Sequence, residues 1–181
     1  MRIWWCANRS AGCLHSYSME RIESFAPVAG PDARILILGT MPSCESLRQN
    51  FYYAHPRNAF WPIMAQLFGE APPESVAQKK ELLLDHRVAL WDVAHSCVRP
   101  GSLDSAIRDA VANDFPALFA RCPGIEKVLF NGATAEKLYW KLMGDLPEGC
   151  RWARMPSTSP AYTLAYAKKL AAWRDGMEGY L

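Results

Sequence analysis

One short stretch gathers groups that can act on a planar, charged ligand: Phe51, Tyr52, Tyr53, His55, Arg57, Asn58, Phe60 and Trp61. Aromatic faces stack bases, an amide reads a polar edge or orients a water, and a cation holds a phosphate. The same crowding suits an aromatic core equally well. Other candidates stand at three further places: Gly39-Thr40-Met41-Pro42-Ser43, Asn131 before Gly132, and Pro156-Ser157-Thr158-Ser159-Pro160. Asn131 reads as a base-edge amide or as a turn residue. The hydroxyls and free amides around Ser157, Thr158 and Ser159 suit a phosphate, or a plain cap for a following helix. Asp92 is the one carboxylate near these positions with a chemical use; it reads as well as an Asx turn or an ion-pair partner.

The elements that must position these groups are legible in part. Ile35-Leu36-Ile37-Leu38 is a continuous apolar run closed by Gly39, the mark of a strand buried on both faces. Further strands are expected at Val88–Val93, Lys127–Phe130 and Arg151–Met155. Helices are expected at Asn58–Phe68, Glu74–His86, Asp114–Phe119 and Thr134–Leu142, and from Tyr162 onward. Ala94 to Ser102 reads as loop, with Ser102 or Asp104 capping a short helix through Arg108. Lys168 and Lys169 read as a solvated helix face. Alternating strands and helices predict a three-layer α/β/α sandwich with a central four-stranded parallel sheet. Every candidate group follows a strand, and a parallel sheet carries such loops to one edge.

Composition narrows the class. A chain of 181 residues holds one domain, or one domain and a tail. No apolar run approaches the roughly 20 residues of a membrane span. The net charge of +2 neither demands nor excludes nucleic acid. The 6 cysteines form no CxxC pair and no zinc spacing, so no metal is expected, and scattered thiols suit a reducing cytoplasm. Residues 1–18 do not extend the strand–helix pattern. They read as a disordered extension, with Met19 as a plausible initiator and 19–181 as the folded unit.

Gly39-Thr40-Met41-Pro42-Ser43 followed by Tyr53-Ala54-His55-Pro56-Arg57-Asn58-Ala59-Phe60-Trp61 resembles the first motif of the uracil-DNA glycosylase superfamily. The likeness is greatest to its hypoxanthine-DNA (deoxyinosine) branch. Leu90-Trp91-Asp92-Val93 with Gly101-Ser102-Leu103-Asp104, and Pro156 to Ala161, agree in the same order. The resemblance implies a monofunctional enzyme that hydrolyses the N-glycosidic bond of a deaminated base in DNA, without a cofactor. It implies a monomer with DNA as partner and no membrane. Asn58 and Asn131 would be catalytic. Gly39, Thr40, Met41, Pro42, Tyr53 and His55 would hold the base, with Tyr53 stacking on it, although spacing does not separate Tyr53 from Tyr52. Arg57, Ser157, Thr158 and Ser159 would hold the DNA backbone. Many superfamily members carry Asp or Asn two residues after the motif Gly, to activate water. Met41 stands there, which argues against ordinary uracil chemistry. The iron–sulfur cluster of some branches needs paired cysteines that this chain lacks, and no Lys within the first motif offers a Schiff base. The alternatives are a uracil or thymine mismatch glycosylase and a nucleic-acid-binding module without catalysis.

Deleting residues 1–18 is expected to leave the melting temperature of the remaining chain unchanged. A large drop would show that the segment is part of the fold.

Overall fold

The computed structural model describes residues 21–181. The expected extension at 1–18 and the initiator at Met19 lie outside them. The central sheet is built from β2 (Ile35–Gly39), β3 (Val88–Asp92), β6 (Lys127–Asn131) and β7 (Arg151–Met155), in the order β3-β2-β6-β7. All neighbours are parallel. Every residue of β2 and β3 is buried, as their unbroken apolar runs require. Gly39 pairs with Asp92, Leu38 with Phe130 and Asn131 with Met155, so the carboxyl ends finish at one level.

The chain leaves β2 toward β3 on one side, and leaves β6 toward β7 on the other. Between β2 and β6 the winding therefore reverses, and open α/β sheets bind ligands above such a crevice. One helical layer holds α2 (Phe60–Phe68), α3 (Val76–Asp85) and α6 (Tyr166–Gly176), where Phe60 meets Trp173 edge-on. The other holds α4 (Phe115–Arg121) and α5 (Ala133–Leu142), where Phe115 meets Tyr139. The three layers are as expected.

A second sheet is not. Ala94–Val98 forms β4, flanked antiparallel by β1 (Arg21–Glu23) and β5 (Arg108–Ala112). The loop expected from Ala94 thus begins as a strand, and the expected helix through Arg108 is a single 3-10 turn, Asp104–Ala106, that leads into β5. Register shifts along β4–β5 break the alternation a sequence reading relies on. A short helix α1 (Cys44–Gln49), capped by Ser43, also went unread inside the first motif. The last helix starts at Tyr166, not Tyr162, because Ser159–Tyr162 closes a turn first.

Local signals succeed where they are complete. Ser75 and Gln78 form a reciprocal capping box at the start of α3. Ser75→Ala removes it, and should cost about 1 kcal/mol. In thermal melting that is a drop of about 2–4 °C; an unchanged midpoint would mean the cap adds nothing.

Candidate active site

Four strand ends converge on one cavity of about 280 Å³. Its wall includes Gly39 to Pro42 after β2, Asp92 and Asp104 after β3, Asn131 after β6, and Ser157 and Ser159 after β7. Tyr53 and Asn58, from the loop between α1 and α2, complete it. Ligand sites span roughly 300–1,000 Å³, so this one is sized for a small ligand.

The aromatic cluster divides between core and wall. Tyr52 is buried, and its hydroxyl donates to Ala26 O at 3.0 Å. Trp61 Nε1 donates to Tyr52 O at 3.1 Å. Tyr53 takes the left-handed backbone, φ 51°, which turns its side chain away from that of Tyr52. Its ring lies 4.3 Å from Phe60. Its hydroxyl is buried beside Gly39, with Asn131 nearby, and among the described residues it makes no hydrogen bond of good geometry. Burial and the neighbouring Asp92 push that hydroxyl well above its usual range.

Asn58 stands just before α2. Its Oδ1 accepts from Phe60 N at 3.0 Å, and its own N–H donates to His55 O at 2.8 Å. The carboxamide therefore both braces the helix start and faces the cavity. Among the described residues its NH2 has no protein acceptor. His55 is not on the cavity wall. Its Nδ1 accepts from Arg57 N at 3.1 Å and shapes the turn. Arg57 is exposed and also outside the wall. Met41 reaches the wall, but its side chain is buried with Ala94 and Cys97 under the small sheet. An apolar residue is what that position packs.

Asn131 and Thr158 close on each other. Asn131 Nδ2 donates to Thr158 Oγ1, and Thr158 N donates to Asn131 Oδ1, both at 2.9 Å. Thr158 is fully buried. Its carbonyl accepts from Ala59 N at 3.0 Å, which ties the β7 loop to the residue after Asn58. Ser157 and Ser159 stay on the wall, their hydroxyls accepting from Ser159 N and Ala161 N at 3.2 Å. Because α6 starts at Tyr166, these serines do not cap it.

Two carboxylates lie on the wall, where one was expected. Asp92 is buried and accepts from Ser24 Oγ at 2.8 Å. Burial pushes its carboxyl up to about 7; Ser24 and Arg99 oppose this, and Asp104 adds to it. Asp104 is raised by burial as well, against Thr40 and Arg99. The Arg99 side chain has no solvent exposure. It donates to Pro42 O, to Gly101 O at 3.0 Å and to Met41 O at 3.5 Å, and pairs with Asp104 at 3.5 Å. It thereby fixes the loop after β2 to the loop after β4. Among the described residues no group of His, Cys, Asp or Glu is set to hold a metal, and no helix is long and apolar enough to cross a membrane.

The sequence profile of the Uracil DNA glycosylase superfamily matches residues 26–176. The chain belongs to this superfamily. Within it, a hypoxanthine DNA glycosylase from Methanosarcina acetivorans is 38% identical over 140 residues, covering 77% of this chain and 87% of the relative. One from Methanosarcina barkeri is 37% identical over 111 residues, covering 61% and 70%. A solution NMR structure from Methanosarcina acetivorans, named for uracil DNA glycosylase, superposes with TM-score 0.72 at 32% identity, covering 86% of this chain and 98% of that one.

Three groups of this uracil-DNA-glycosylase fold escaped the sequence reading. Arg99 carries no motif of its own, and Asp104, inside Gly101-Ser102-Leu103-Asp104, reads from sequence only as a helix cap. Lys169, expected in solvent, is buried and donates from Nζ to Ser159 O at 3.1 Å, with the Tyr162 ring 5.5 Å away. Its helical spacing could not reveal that the β7 loop folds over it.

Thr158→Val keeps the shape but leaves Asn131 Nδ2 without its acceptor. A buried unsatisfied donor costs about 1–3 kcal/mol. Thermal melting should show that loss, and Thr158→Ser should recover most of it. Equal stability of the Val variant would mean the hydroxyl bond is dispensable.

Proposed function

We propose that this chain is a monofunctional DNA glycosylase that removes hypoxanthine from deaminated DNA by hydrolysis. The observation that carries the reading is the wall itself. It presents the Asn58 carboxamide, while Met41, at the usual water-activating position, turns its side chain into an apolar cluster. The two Methanosarcina relatives are named for the same activity.

A base inside a duplex must swing out before its glycosidic bond can be reached. The cavity between β2 and β6 receives it. Tyr53 forms one side, stiffened by its contact with Phe60. The sugar develops oxocarbenium character as the bond to N9 lengthens. Asn58 Oδ1 spends one lone pair on Phe60 N–H and keeps a second for the attacking water. That brace fixes the amide before substrate arrives, so no reorganisation is needed during reaction. Asn131 acts first on Thr158, and so sets the shape of the cavity; one N–H and one lone pair of its amide remain for the base edge. Gly39 to Pro42 form the floor. Ser157 and Ser159 on the wall, and exposed Arg57, meet the phosphates. The enzyme acts as a monomer in the cytoplasm, with a deaminated base in DNA as its substrate.

Asn58→Ala should slow single-turnover release of hypoxanthine about 100- to 1,000-fold. DNA binding should persist, and stability should fall by about 1 kcal/mol through the lost bond to Phe60. The assay uses oligonucleotides bearing hypoxanthine or uracil, with thermal melting in parallel. A near wild-type rate with the lowered midpoint would leave Asn58 a brace alone. Wild-type release of uracil in preference to hypoxanthine would overturn the substrate assignment.

A further inference from the structure

The cavity floor holds two groups that neither the water-directing nor the backbone-binding role uses. Asp92 Oδ1 and Tyr53 Oη both crowd the space beside Gly39: a Cβ there would overlap the carboxylate oxygen and lie 2.8 Å from the hydroxyl. Gly39 is the residue that leaves room for both. Tyr53 is held there by a left-handed backbone, a conformation that a tyrosine keeps only when the surroundings enforce it. Its hydroxyl is buried with Asn131 nearby, and among the described residues it makes no hydrogen bond of good geometry. Asp92 is buried, and among the described residues its one side-chain hydrogen bond is from Ser24 to Oδ2, with none to Oδ1. The nearest cation does not neutralise it: Arg99 is committed to Asp104 and to three backbone carbonyls. A structural carboxylate would be paired at this depth. The groups that face Asp92 are Ser24, Tyr52 and Tyr53, Arg99 and Asp104.

We infer that Asp92, in its neutral form and beside the Tyr53 hydroxyl, is the acid that protonates the departing purine. The inference rests on the proposed removal of hypoxanthine. A purine leaves with the electron pair of its bond to C1′, and the charge spreads over its ring acceptors. Asp92 gives its proton to one of them as the C1′–N9 bond breaks. Water places its oxygen on C1′, and its surplus proton returns through cavity solvent to the Asp92 carboxylate. The products are free hypoxanthine and an abasic sugar, and Asp92 is neutral again. A carboxyl raised to about 7 by burial can do this near neutral pH. The sign follows: the donor form is present below that value and is lost as pH rises through it.

The test is a single-turnover pH profile of the wild type and Asp92→Asn. Wild-type rate should fall about tenfold per pH unit above about 7, as a single required proton is lost. Asp92→Asn should lose about 100-fold or more at pH 6, and with it that alkaline limb. On DNA carrying N7-methylated hypoxanthine, whose ring is already cationic, the loss should shrink at least about tenfold, since the missing proton is no longer needed. A purely structural Asp92 would lose equally on both substrates, and that result overturns the inference. So does a wild-type rate that rises through pH 7. Should Asp92→Asn fail to fold, infrared difference spectra of the wild type against Asp92→Glu decide. They should show a protonated carboxyl at pH 6 that ionises near 7 and moves with the substitution. A carboxyl already ionised at pH 6 overturns the inference. This readout needs no turnover, so it stands apart from any failure of the hypoxanthine assignment.

Discussion

The two hydrogen bonds between Asn131 and Thr158 hold the site together. Each amide atom of Asn131 finds its complement on a residue with no solvent exposure, so neither bond competes with water. Thr158 then passes the constraint on, through its carbonyl, to Ala59 and the start of α2. One residue thus joins the end of β6, the loop after β7 and the loop that carries Asn58. Lys169 supports the same loop from below through Ser159 O. The cavity wall is made of loops, yet it is held as a strand interior is held, by buried and satisfied backbone.

The opposite wall is fixed by charge. Arg99 is buried without exposure, and its guanidinium is saturated by carbonyls and by Asp104. A buried cation left unpaired would be costly, so the loops after β2 and β4 have one arrangement that satisfies it. Asp92 is left outside that network, and among the described residues its side chain is hydrogen-bonded to Ser24 alone. The asymmetry between the two carboxylates is therefore set by where one arginine points.

What could be read from the sequence follows from which contacts are local. β2, β3, β6 and β7 are short apolar runs bounded by turn residues, and the layers follow from their alternation with helices. β4 could not be read: Ala94-His95-Ser96-Cys97-Val98 carries no apolar alternation, its partner β1 is distant in sequence, and its pairing with nearby β5 is broken by register shifts. The motif strings brought Asn58, Tyr53, Asp92, Asn131, Ser157 and Ser159 to one wall, because a parallel sheet leaves loops at strand ends few other places. They could not divide side chains within a string. Tyr52 from Tyr53, and Thr158 from its two serine neighbours, differ by backbone angle and depth, which neighbours in space decide. Lys169 was unreadable for the same reason: its ammonium meets a backbone carbonyl that only the folded chain brings to it.

The strand order also sets a schedule. β2 is central, yet β6, which covers its second edge, arrives only after β3, β4 and β5 have been made. Pairings that span such stretches of chain form slowly, and an uncovered apolar strand invites association with other chains meanwhile. Thr158, which closes the wall, follows every strand in the sequence. A nascent or truncated chain can thus hold a partly formed sheet while lacking a pocket, and so carries no half-built site able to seize a base.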